Sequence, residues 1–342
     1  MIMPKLSFVL PIYDVEAYLP RALQSIREQT FGDWEAILVD DGSPDRCGEI
    51  CDEAARADPR FRVIHQANAG TGAARNAGLE AARGEYVHFF DPDDYLEPCL
   101  AQEALRLAEE SGADIVMFGF YTELQRADGT TSRLSRSRPP VLGTFDYAGF
   151  QREYPKLITF HYIWNRLYRR ALLEENHCRY SNHTLGQDAV FNVRTCAKPF
   201  GCMASVETPC LHYTVREGSS VNRYHADRMA DNFYISREIA AMIRGWGMQD
   251  QPEFRNALAY CALRDLQLGI KNAALSPMSL GERRRWLRGI MADGRLRETV
   301  RIVPLSRFRA VNDRVKLLLL KLHAYAAVVF AADVHQRKKR GR

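Results

Sequence analysis

The sequence is most informative at residues 86–94, which read Tyr86-Val87-His88-Phe89-Phe90-Asp91-Pro92-Asp93-Asp94. The apolar first half of this stretch predicts a buried strand, and three carboxylates follow it within four positions. Carboxylates crowded at the end of a strand repel one another unless a cation or a ligand with hydrogen-bond donors lies among them. Their hard oxygen atoms suit Mg²⁺ or Mn²⁺, which also bind diphosphates. The alternative is a Pro-Asp-Asp turn followed by the N-terminus of a helix.

Strands and helices alternate on both sides of this stretch. Apolar runs that predict strands lie at 6–12, 36–39, 61–65 and 115–120, and helical patterns lie at 18–26, at 45–57 and up to 82. This alternation predicts an α/β fold with a mostly parallel central sheet and helices on both faces. Ligands of such sheets bind beyond the carboxyl ends of the strands. Tyr13, Asp40, Asp41, Asp91 and Asp93 all follow strands, so we expect one crevice to collect them.

The charge of the chain is divided unevenly. Its 342 residues have a net charge of +5, but residues 282–342 contain 17 Lys and Arg against 5 Asp and Glu, a net charge of +12. The preceding residues therefore carry −7, which predicts an acidic globular body with a basic C-terminal attachment. The eight cysteines form no Cys-x-x-Cys pair, and the N-terminal apolar run is too short for a signal peptide. We therefore expect reduced thiols and a cytoplasmic protein.

Five short motifs occur in order over the first part of the chain. They are Pro11-Ile12-Tyr13, Val39-Asp40-Asp41-Gly42-Ser43, Asn68-Ala69-Gly70 with Ala74-Arg75-Asn76-Ala77-Gly78, Gly84-Glu85-Tyr86, and Asp91-Pro92-Asp93-Asp94. In order and spacing they resemble the inverting family 2 glycosyltransferases of the bacterial surface-polysaccharide type, and a weaker resemblance continues through 164–168 and 186–192. The resemblance implies a Rossmann-like GT-A domain over 1–224, with a nucleotide-sugar part at 1–120 and an acceptor part at 121–224. Residues 225–342 would form a helical, basic extension.

The resemblance assigns roles on the donor side of the site. It implies that Tyr13 stacks near a uracil and that Asp41 accepts the ring N–H, with Asp40 and Pro11 supporting this nucleotide pocket. The alternative is that Tyr13 packs a loop and that the two aspartates merely form a turn. Arg75 opens the helix after the glycines, where it would meet the diphosphate of the nucleotide. Otherwise it is a surface arginine on an Ala-rich helix.

Metal-binding and catalytic roles follow from the same resemblance. Asp93 is expected to bind Mn²⁺ or Mg²⁺ directly, with Asp91 on the ribose or on a metal-bound water, so that the cation neutralises the departing diphosphate. Asp94 would only cap the next helix. Asp188 is the expected general base, and the alternative is an aspartate in the first turn of a helix. Gln187 replaces the glutamate usual in the family, which removes a negative charge and should slightly lower the Asp188 pKa.

Later residues complete the predicted site. Trp164 and Tyr168 would form a platform for an acceptor sugar, although aromatic residues at this spacing are equally typical of a helix core. His212 and Arg216 precede Gly218-Ser219-Ser220 and resemble the family's segment that closes over the diphosphate, where they would supply positive charge. The alternative for His212 is a structural role.

The C-terminal attachment predicts contact with a membrane surface. Residues 315–334 are strongly apolar but contain Lys316, Lys321, His323 and Asp333. They fall short of the ~20 apolar residues that a membrane span needs. A basic amphipathic helix on an anionic membrane surface fits better, and the alternative is a helix packed on the protein body. Nucleic-acid binding is disfavoured, because the apolar stretches require an apolar medium or partner.

The resemblance implies a metal-dependent, inverting glycosyltransferase, either a hexosyl- or an N-acetylhexosaminyltransferase. The donor would be a nucleotide-sugar, expected to be UDP-linked, and the acceptor a lipid-linked glycan in surface polysaccharide synthesis. The enzyme would act at the inner face of the cell membrane. The alternative function is a non-catalytic subunit that binds a nucleotide-sugar or glycan within a membrane glycan-assembly complex. Turnover of a UDP-sugar to free UDP separates the two.

Overall fold

The chain divides into two compact units, Met1–Glu217 and Gly218–Arg342. The computed structural model describes residues 3–126, 130–181, 186–216, 224–308 and 310–340. The first unit contains a central sheet, and the second unit is helical in its described residues. The sequence places the boundary between the two at residue 224, a few residues further along the chain.

In its described residues, the first unit is built on one ten-stranded sheet. In chain order its strands are β1 (Leu6–Ile12), β2 (Trp34–Asp40), β3 (Phe61–His65), β4 (Tyr86–Phe89), β5 (Tyr95–Leu96), β6 (Ile115–Gln125), β7 (Thr131–Ser137), β8 (Gly143–Asp146), β9 (Arg166–Arg169) and β10 (Cys202–Arg216). The order across the sheet is β3-β2-β1-β4-β9-β6-β10-β5, with β7 paired to β6 and β8 to β10. Over the described residues, β1, β2, β3, β4, β6 and β10 run in one direction and the other strands oppose them. The predicted α/β fold with a mostly parallel central sheet is confirmed.

Helices cover both faces of this sheet. They are α1 (Leu19–Arg27), α2 (Cys47–Ala57), α3 (Thr71–Ala81), α4 (Leu100–Ser111), α5 (Tyr147–Leu157), α6 (Arg170–Glu175) and α7 (Gln187–Cys196). Side chains alternate between the two faces of a strand, so Phe8 and Leu10 of β1 join a core with α1, α2 and α4. Val9, between them, lies under Gly78 of α3 on the opposite face. Strands buried on both faces explain why the sequence shows continuous apolar runs.

Gly78 allows α3 to lie directly on the sheet. A Cβ atom at this position would overlap the side chain of Val9 and would lie 3.3 Å from Cγ2 of Val39. Both valines are fully buried, so neither can move aside into solvent. The glycine of the Ala74-Arg75-Asn76-Ala77-Gly78 motif therefore has a packing role, which sets how closely α3 approaches β1 and β2.

The second unit is a bundle of helices. These are α8 (Arg228–Gly245), α9 (Pro252–Leu275), α10 (Leu280–Ile290), α11 (Gly294–Ile302), α12 (Val311–Lys321) and α13 (Tyr325–Arg340), with a 3₁₀ turn at Leu305–Arg307. The long helix α9 supplies Leu263, Leu266 and Ile270 to a core that α10, α11, α12 and α13 complete. On α10, Arg283 is buried and its Nη1 lies 3.0 Å from Oδ1 of Asp333 on α13.

The predicted single amphipathic helix over residues 315–334 is two helices. The chain breaks between α12 and α13, where His323 has a left-handed φ of 54°. Leu317, Leu320 and Val328 are buried in the bundle core, so these apolar side chains have a protein partner rather than a lipid one. None of the helices in the described part of the chain is long and apolar enough to cross a bilayer.

Substituting Gly78 tests the close packing of α3. We expect Gly78→Ala to lower the free energy of unfolding by about 1–3 kcal/mol, because a methyl group added to a filled core forces its neighbours apart. This loss should exceed the gain of up to about 1 kcal/mol that alanine brings to a helix interior. Urea unfolding measures it.

The matched control is Gly32→Ala in the same unit, where an added Cβ has no neighbour within 4 Å. This control should stay within about 0.5 kcal/mol of the parent chain. A Gly78→Ala variant as stable as the parent would show that α3 does not lie on the sheet as described.

Candidate active site

The neighbouring strands β1 and β2 end at the same edge of the sheet. Asp40 is the last residue of β2 and pairs in register with Ile12, the last residue of β1. The N–H of Asp41 donates to the carbonyl oxygen of Ile12 at 2.9 Å, which holds Asp41 close to the residue after β1. That residue, Tyr13, is 47% exposed and can meet a ligand, whereas Pro11 is buried within β1. The structure thus brings the predicted nucleotide-binding residues of both strands together.

Asp41 holds the loop that precedes α3. Its Oδ1 accepts hydrogen bonds from Nε2 of Gln66 at 2.6 Å and from the backbone N–H of Ala69 at 2.9 Å. Its Oδ2 accepts from the backbone N–H of Gly70 at 2.8 Å. A carboxylate has about four lone-pair sites, so a uracil N–H would use the acceptor capacity that these three donors leave. Through these hydrogen bonds, Asp41 links the end of β2 to the loop that precedes α3.

Asp40 is held by the turn after β2 and by β3. Its Oδ1 accepts from the backbone N–H of Ser43 at 3.0 Å, and its Oδ2 lies 2.9 Å from Nδ1 of His65. Burial acts to raise the pKa of Asp40, but the hydrogen bonds from Ser43 and His65 outweigh it, and the pKa lies below its ordinary value. Hydrogen bonds to Asp40 and then to Asp52 raise the pKa of His65. Asp40 therefore stays charged beside Asp41.

Arg75 connects α3 to two separate carboxylates. Its Nη2 donates to Oδ1 of Asp91 at 2.7 Å, and its Nη1 donates to Oδ1 of Asp188 at 2.8 Å. The side chain is buried, with its guanidinium carbon 5.3 Å from the centroid of the Tyr180 ring. A planar guanidinium suits such a bridge, because its N–H donors point in fixed directions. The alternative of a surface arginine is wrong, and the contact with a diphosphate stays a prediction.

Asp188 lies in the first turn of α7 and faces Arg75. Burial raises the pKa of the Asp188 carboxyl, while the positive charge of Arg75 lowers it and the negative charge of Asp91 raises it further. The net result is a pKa above the ordinary value. The slight lowering expected from Gln187 is therefore outweighed by burial. Gln187 itself packs at the start of α3, since a Cβ on Gly72 would lie 2.6 Å from its Oε1. A carboxylate with a raised pKa is a better proton acceptor.

Asn76 fixes the segment that leads towards α7. Its Nδ2 donates to the carbonyl oxygen of Tyr180 at 3.0 Å, and its Oδ1 accepts from the N–H of Tyr180 at 2.8 Å. The Tyr180 ring stacks on Phe191 of α7, with centroids 4.3 Å apart. Sequence reasoning missed both Asn76 and Tyr180. The available signal was an asparagine next to Arg75 inside an otherwise Ala-rich helix.

Residues Asp91–Asp94, which we call the acidic segment, begin two residues after the end of β4. Asp94 is buried and does not cap α4, because its Oδ1 accepts from the backbone N–H of Thr214 on β10 at 2.7 Å. Its Oδ2 is buried without a hydrogen-bond partner in the described part of the chain. Burial, followed by the charges of Asp93 and Asp91, raises the pKa of Asp94 well above its ordinary value. The acidic segment is thus crowded with negative charge.

The acidic segment has the donor chemistry of a divalent-cation site. Asp91 and Asp93 are only partly buried and offer the hard carboxylate oxygens that Mg²⁺ and Mn²⁺ prefer. Within the described residues, no group of three His, Cys, Asp or Glu side chains is arranged to hold a metal by itself. The oxygens of a bound diphosphate would therefore have to complete the ligand set, which is how Mg²⁺ commonly meets nucleotides. These residues fit an ion that binds together with its substrate.

Two residues of β10, His212 and Arg216, were predicted to contact the diphosphate, and the structure corrects the prediction for His212. His212 is buried, with Nδ1 2.9 Å from Oε1 of Glu123 and Nε2 2.8 Å from Oε1 of Glu97. Both ring nitrogens are engaged by carboxylates, so His212 is structural and has no ring donor left for a phosphate. Arg216 is the last residue of β10, and its side chain lies outside the described residues, as does Gly218-Ser219-Ser220.

The predicted acceptor platform is also corrected. Tyr168 lies on a strand, β9, where it is fully buried and its hydroxyl donates to Oδ1 of Asn192 at 2.6 Å. Trp164 is buried too, and its ring stacks with those of Tyr162 and Tyr213 at centroid distances of 4.8 and 5.2 Å. Neither predicted ring can lie against a sugar. Tyr162 is 40% exposed and is the most exposed member of this stack, and sequence reasoning missed it.

The two sides of Arg75 suit different chemical tasks. On one side, Asp188 has a raised pKa and can accept a proton. On the other side, Asp91 belongs to a carboxylate group suited to a cation and an anionic leaving group. A displacement reaction in which an attacking hydroxyl loses its proton and a diphosphate departs needs both a proton acceptor and a site for the departing anion.

Sequence comparisons with known proteins support the interpretation of this site as that of a transferase. The sequence model described as Glycosyl transferase family 2 matches residues 7–176. The uncharacterized glycosyltransferase EpsJ of Bacillus subtilis (strain 168) is 30% identical over 329 residues, which cover 93% of this chain and 92% of that protein. The uncharacterized glycosyltransferase YibD of Escherichia coli (strain K12) is 26% identical over 269 residues, which cover 76% of this chain and 78% of that protein.

Solved structures share the fold. TarS 1–349 of S. aureus in complex with UDP-GlcNAc superimposes with a TM-score of 0.65 at 20% identity, over 98% of this chain and 92% of that one. The mannosyltransferase PcManGT from Pyrobaculum calidifontis, in complex with GDP-Man and Mn²⁺, gives 0.52 at 17% identity over 98% and 87%. These likenesses show the fold, and it is the GT-A fold that the sequence predicts. The family match and the similarity to EpsJ over nearly its whole length establish that the chain is a glycosyltransferase and belongs to glycosyl transferase family 2.

Proposed function

We propose that this enzyme transfers a sugar from a UDP-sugar to a lipid-linked glycan, with inversion at the anomeric carbon. The observation that carries the proposal is the Arg75 guanidinium, which hydrogen-bonds both Asp91 and Asp188. An inverting transfer needs a base for the acceptor hydroxyl and a separate site for the departing diphosphate. The two carboxylates, held apart by one guanidinium, supply these two positions.

In the proposed reaction, an acceptor hydroxyl oxygen attacks the anomeric carbon of the donor sugar. The bond from that carbon to the diphosphate oxygen breaks, and its electron pair leaves with UDP. The hydroxyl proton passes to the Asp188 carboxylate, so the atoms and charges balance. Because this is a single displacement, the configuration at the anomeric carbon inverts. The raised pKa of Asp188 supports its role, since a base must hold the proton once the hydroxyl has become acidic.

Asp91 and Asp93 are the residues that would hold Mn²⁺ or Mg²⁺. When bound, the ion neutralises the negative charge that develops on the leaving diphosphate. Arg75 keeps the Asp91 carboxylate in place through a 2.7 Å hydrogen bond and balances one of the charges of the acidic segment. The presence of Mn²⁺ with GDP-Man in the PcManGT structure supports this choice of ion.

The donor is proposed to be UDP-linked. Tyr13 offers an exposed ring for uracil, and Asp41 lies beside it with acceptor capacity for the ring N–H. Arg216 is proposed to contact the diphosphate. UDP-GlcNAc is the first donor to test, because TarS was solved with it. In this proposal residues 1–120 bind the donor and residues 121–224 serve the acceptor.

The acceptor is proposed to be lipid-linked, with the enzyme at the inner face of the cell membrane in surface polysaccharide synthesis. The net charge of +12 over residues 282–342 supports attraction to an anionic leaflet. The alternative of a non-catalytic binding subunit predicts no release of UDP from any UDP-sugar, and family membership favours the enzyme.

Replacing the proposed base tests the mechanism. Asp188→Asn keeps the shape of the side chain and an oxygen for Arg75, but it cannot accept the proton. We expect the rate of UDP release to fall by about 10²-fold or more, the usual scale for loss of a general base. Affinity for UDP, measured by calorimetry, should change little.

The matched control is Asp33→Asn, an exposed residue at the opposite, amino-terminal edge of β2, which should keep the parent rate. An Asp188→Asn variant that loses UDP affinity but turns over normally at saturation would place Asp188 on the donor side and refute its role as the base.

Removing Asp93 tests the metal site. We expect Asp93→Ala to lose Mn²⁺-dependent turnover by about 10²-fold or more, since a catalytic metal contributes several kcal/mol of charge stabilisation. The loss of Mn²⁺ itself can be followed by electron paramagnetic resonance in the presence of UDP. Asp33→Ala serves as the control for the same chemical change. Near-parent rates and undiminished Mn²⁺ binding in Asp93→Ala would show that Asp93 does not hold the ion.

A further inference from the structure

The helical bundle contains a cavity that the transfer reaction does not use. It has a volume of about 430 Å³ and is lined by residues of α11, of the end of α12 and of the turns beside them. Its floor is apolar and buried, formed by Met291, Val300 and Leu320. We call it the basic cavity, because its rim carries Arg297, Arg301, Lys321 and His323, while Glu298 is the single carboxylate among the described residues that line it.

The contacts within the rim leave an excess of positive charge. Nη2 of Arg301 lies 2.6 Å from Oε1 of Glu298, so one of the charges is balanced. Lys321 donates to the carbonyl oxygen of Arg301 at 2.8 Å, which ties α12 to α11 and keeps its charge at the rim. Arg297 is exposed and adds a third full positive charge to the lining. A cationic rim over an apolar floor suits an anion that also carries an apolar part.

The outer side of α12 is apolar as well. Val311, Val315, Leu318 and Leu322 are 43–70% exposed and recur at intervals of four, three and four residues, which puts them on one side of the helix. We call these four residues the apolar face. Leu322 lies between Lys321 and His323 in the chain, so the apolar face reaches the rim of the basic cavity. Exposed apolar side chains aligned on one face of a helix suit contact with an apolar medium.

We propose that the basic cavity binds the phosphate of an anionic lipid headgroup while the apolar face enters the acyl-chain boundary of the same leaflet. This inference rests on the proposed membrane location of the enzyme, and it adds the site and the chemistry of the lipid. Basic side chains beside an exposed apolar helix face are the combination that holds helices in anionic interfaces. A second copy of this chain is disfavoured as the occupant, because two surfaces from a segment of charge +12 repel each other.

The first test measures flotation of the full-length protein with vesicles of phosphatidylcholine, with and without phosphatidylglycerol. The parent chain should bind only the anionic vesicles. Arg297→Gln combined with Arg301→Gln should weaken this binding by about tenfold or more, because two cations at the lipid phosphate are lost. The matched control, Arg284→Gln with Arg285→Gln, removes the same charge from exposed positions of α10 and should weaken it much less. Equal losses in the two double variants, or no binding by the parent, would overturn the proposal.

The second test addresses the apolar face. Leu318→Asn with Leu322→Asn should abolish the part of vesicle binding that survives high salt, since salt screens charge but not apolar burial. Leu134→Asn, at an exposed leucine of β7 in the first unit, is the matched control and should keep it. Salt-resistant binding that persists in the double variant would refute the role of the apolar face. A lipid-free dimer of the parent that the same substitutions dissociate would assign the face to a second copy instead.

A third measurement separates lipid from free phosphate. Thermal shifts with short-chain phosphatidylglycerol should exceed those with inorganic phosphate at equal concentration, and equal shifts would overturn the lipid assignment. Hydrolysis of the UDP-sugar in solution is measured on every variant and should be unchanged. If the parent chain releases no UDP but its vesicle binding follows the expected pattern, the proposed reaction fails and the lipid site stands. If hydrolysis is normal and the pattern is absent, the lipid site fails alone.

Discussion

The two halves of the candidate active site are joined by one buried cation, the guanidinium of Arg75. Arg75 hydrogen-bonds two carboxylates that lie 16 and 113 positions away in the chain, Asp91 and Asp188. Removing one member of a buried ionic group typically costs about 3–5 kcal/mol, because its partners keep their charge without compensation. The surrounding motif serves this guanidinium: Gly78 lets α3 rest on the sheet, and Asn76 ties down the segment before α7. The spacing of Arg75, Asn76 and Gly78 in the sequence therefore reflects the contacts that fix α3 in position.

Much of the fold could be predicted because the parallel half of the sheet is buried on both faces. Mainly apolar runs at the fully buried strands β1, β2 and β4 left little ambiguity, and the helix after β1 had a clear period. The antiparallel strand β9 was not predictable in the same way, because a strand of four residues has too few positions to show a period of two. For that reason Trp164 and Tyr168 looked like a helix face or an exposed platform. The break between α12 and α13 escaped prediction because no glycine or proline marks it.

The positions of the site residues were predictable where these residues lie near the end of a strand. They were not predictable where a residue is held by partners far away in the sequence. Asp40 is the last residue of a strand, and Asp41 and the acidic segment come soon after strands, so topology alone brings them to one edge. His212 was misassigned because its partners, Glu97 and Glu123, lie 115 and 89 positions away and form no local pattern. A histidine between two carboxylates and a histidine beside a phosphate look alike in a sequence. Only the packed structure separates them.

The position of β10 has a consequence for the design of shorter or recombined enzymes. The family match ends at residue 176, yet β10 comes later and lies inside the sheet between β6 and β5. A fragment cut at residue 176 would leave the edge of β6 open to pairing with other chains, and Arg75 would keep only one of its two carboxylates. It would also lose Thr214, which holds Asp94. A chimaera that exchanges parts between relatives therefore needs its junction after Arg216, where the sheet is complete, and not at the end of the shared motifs.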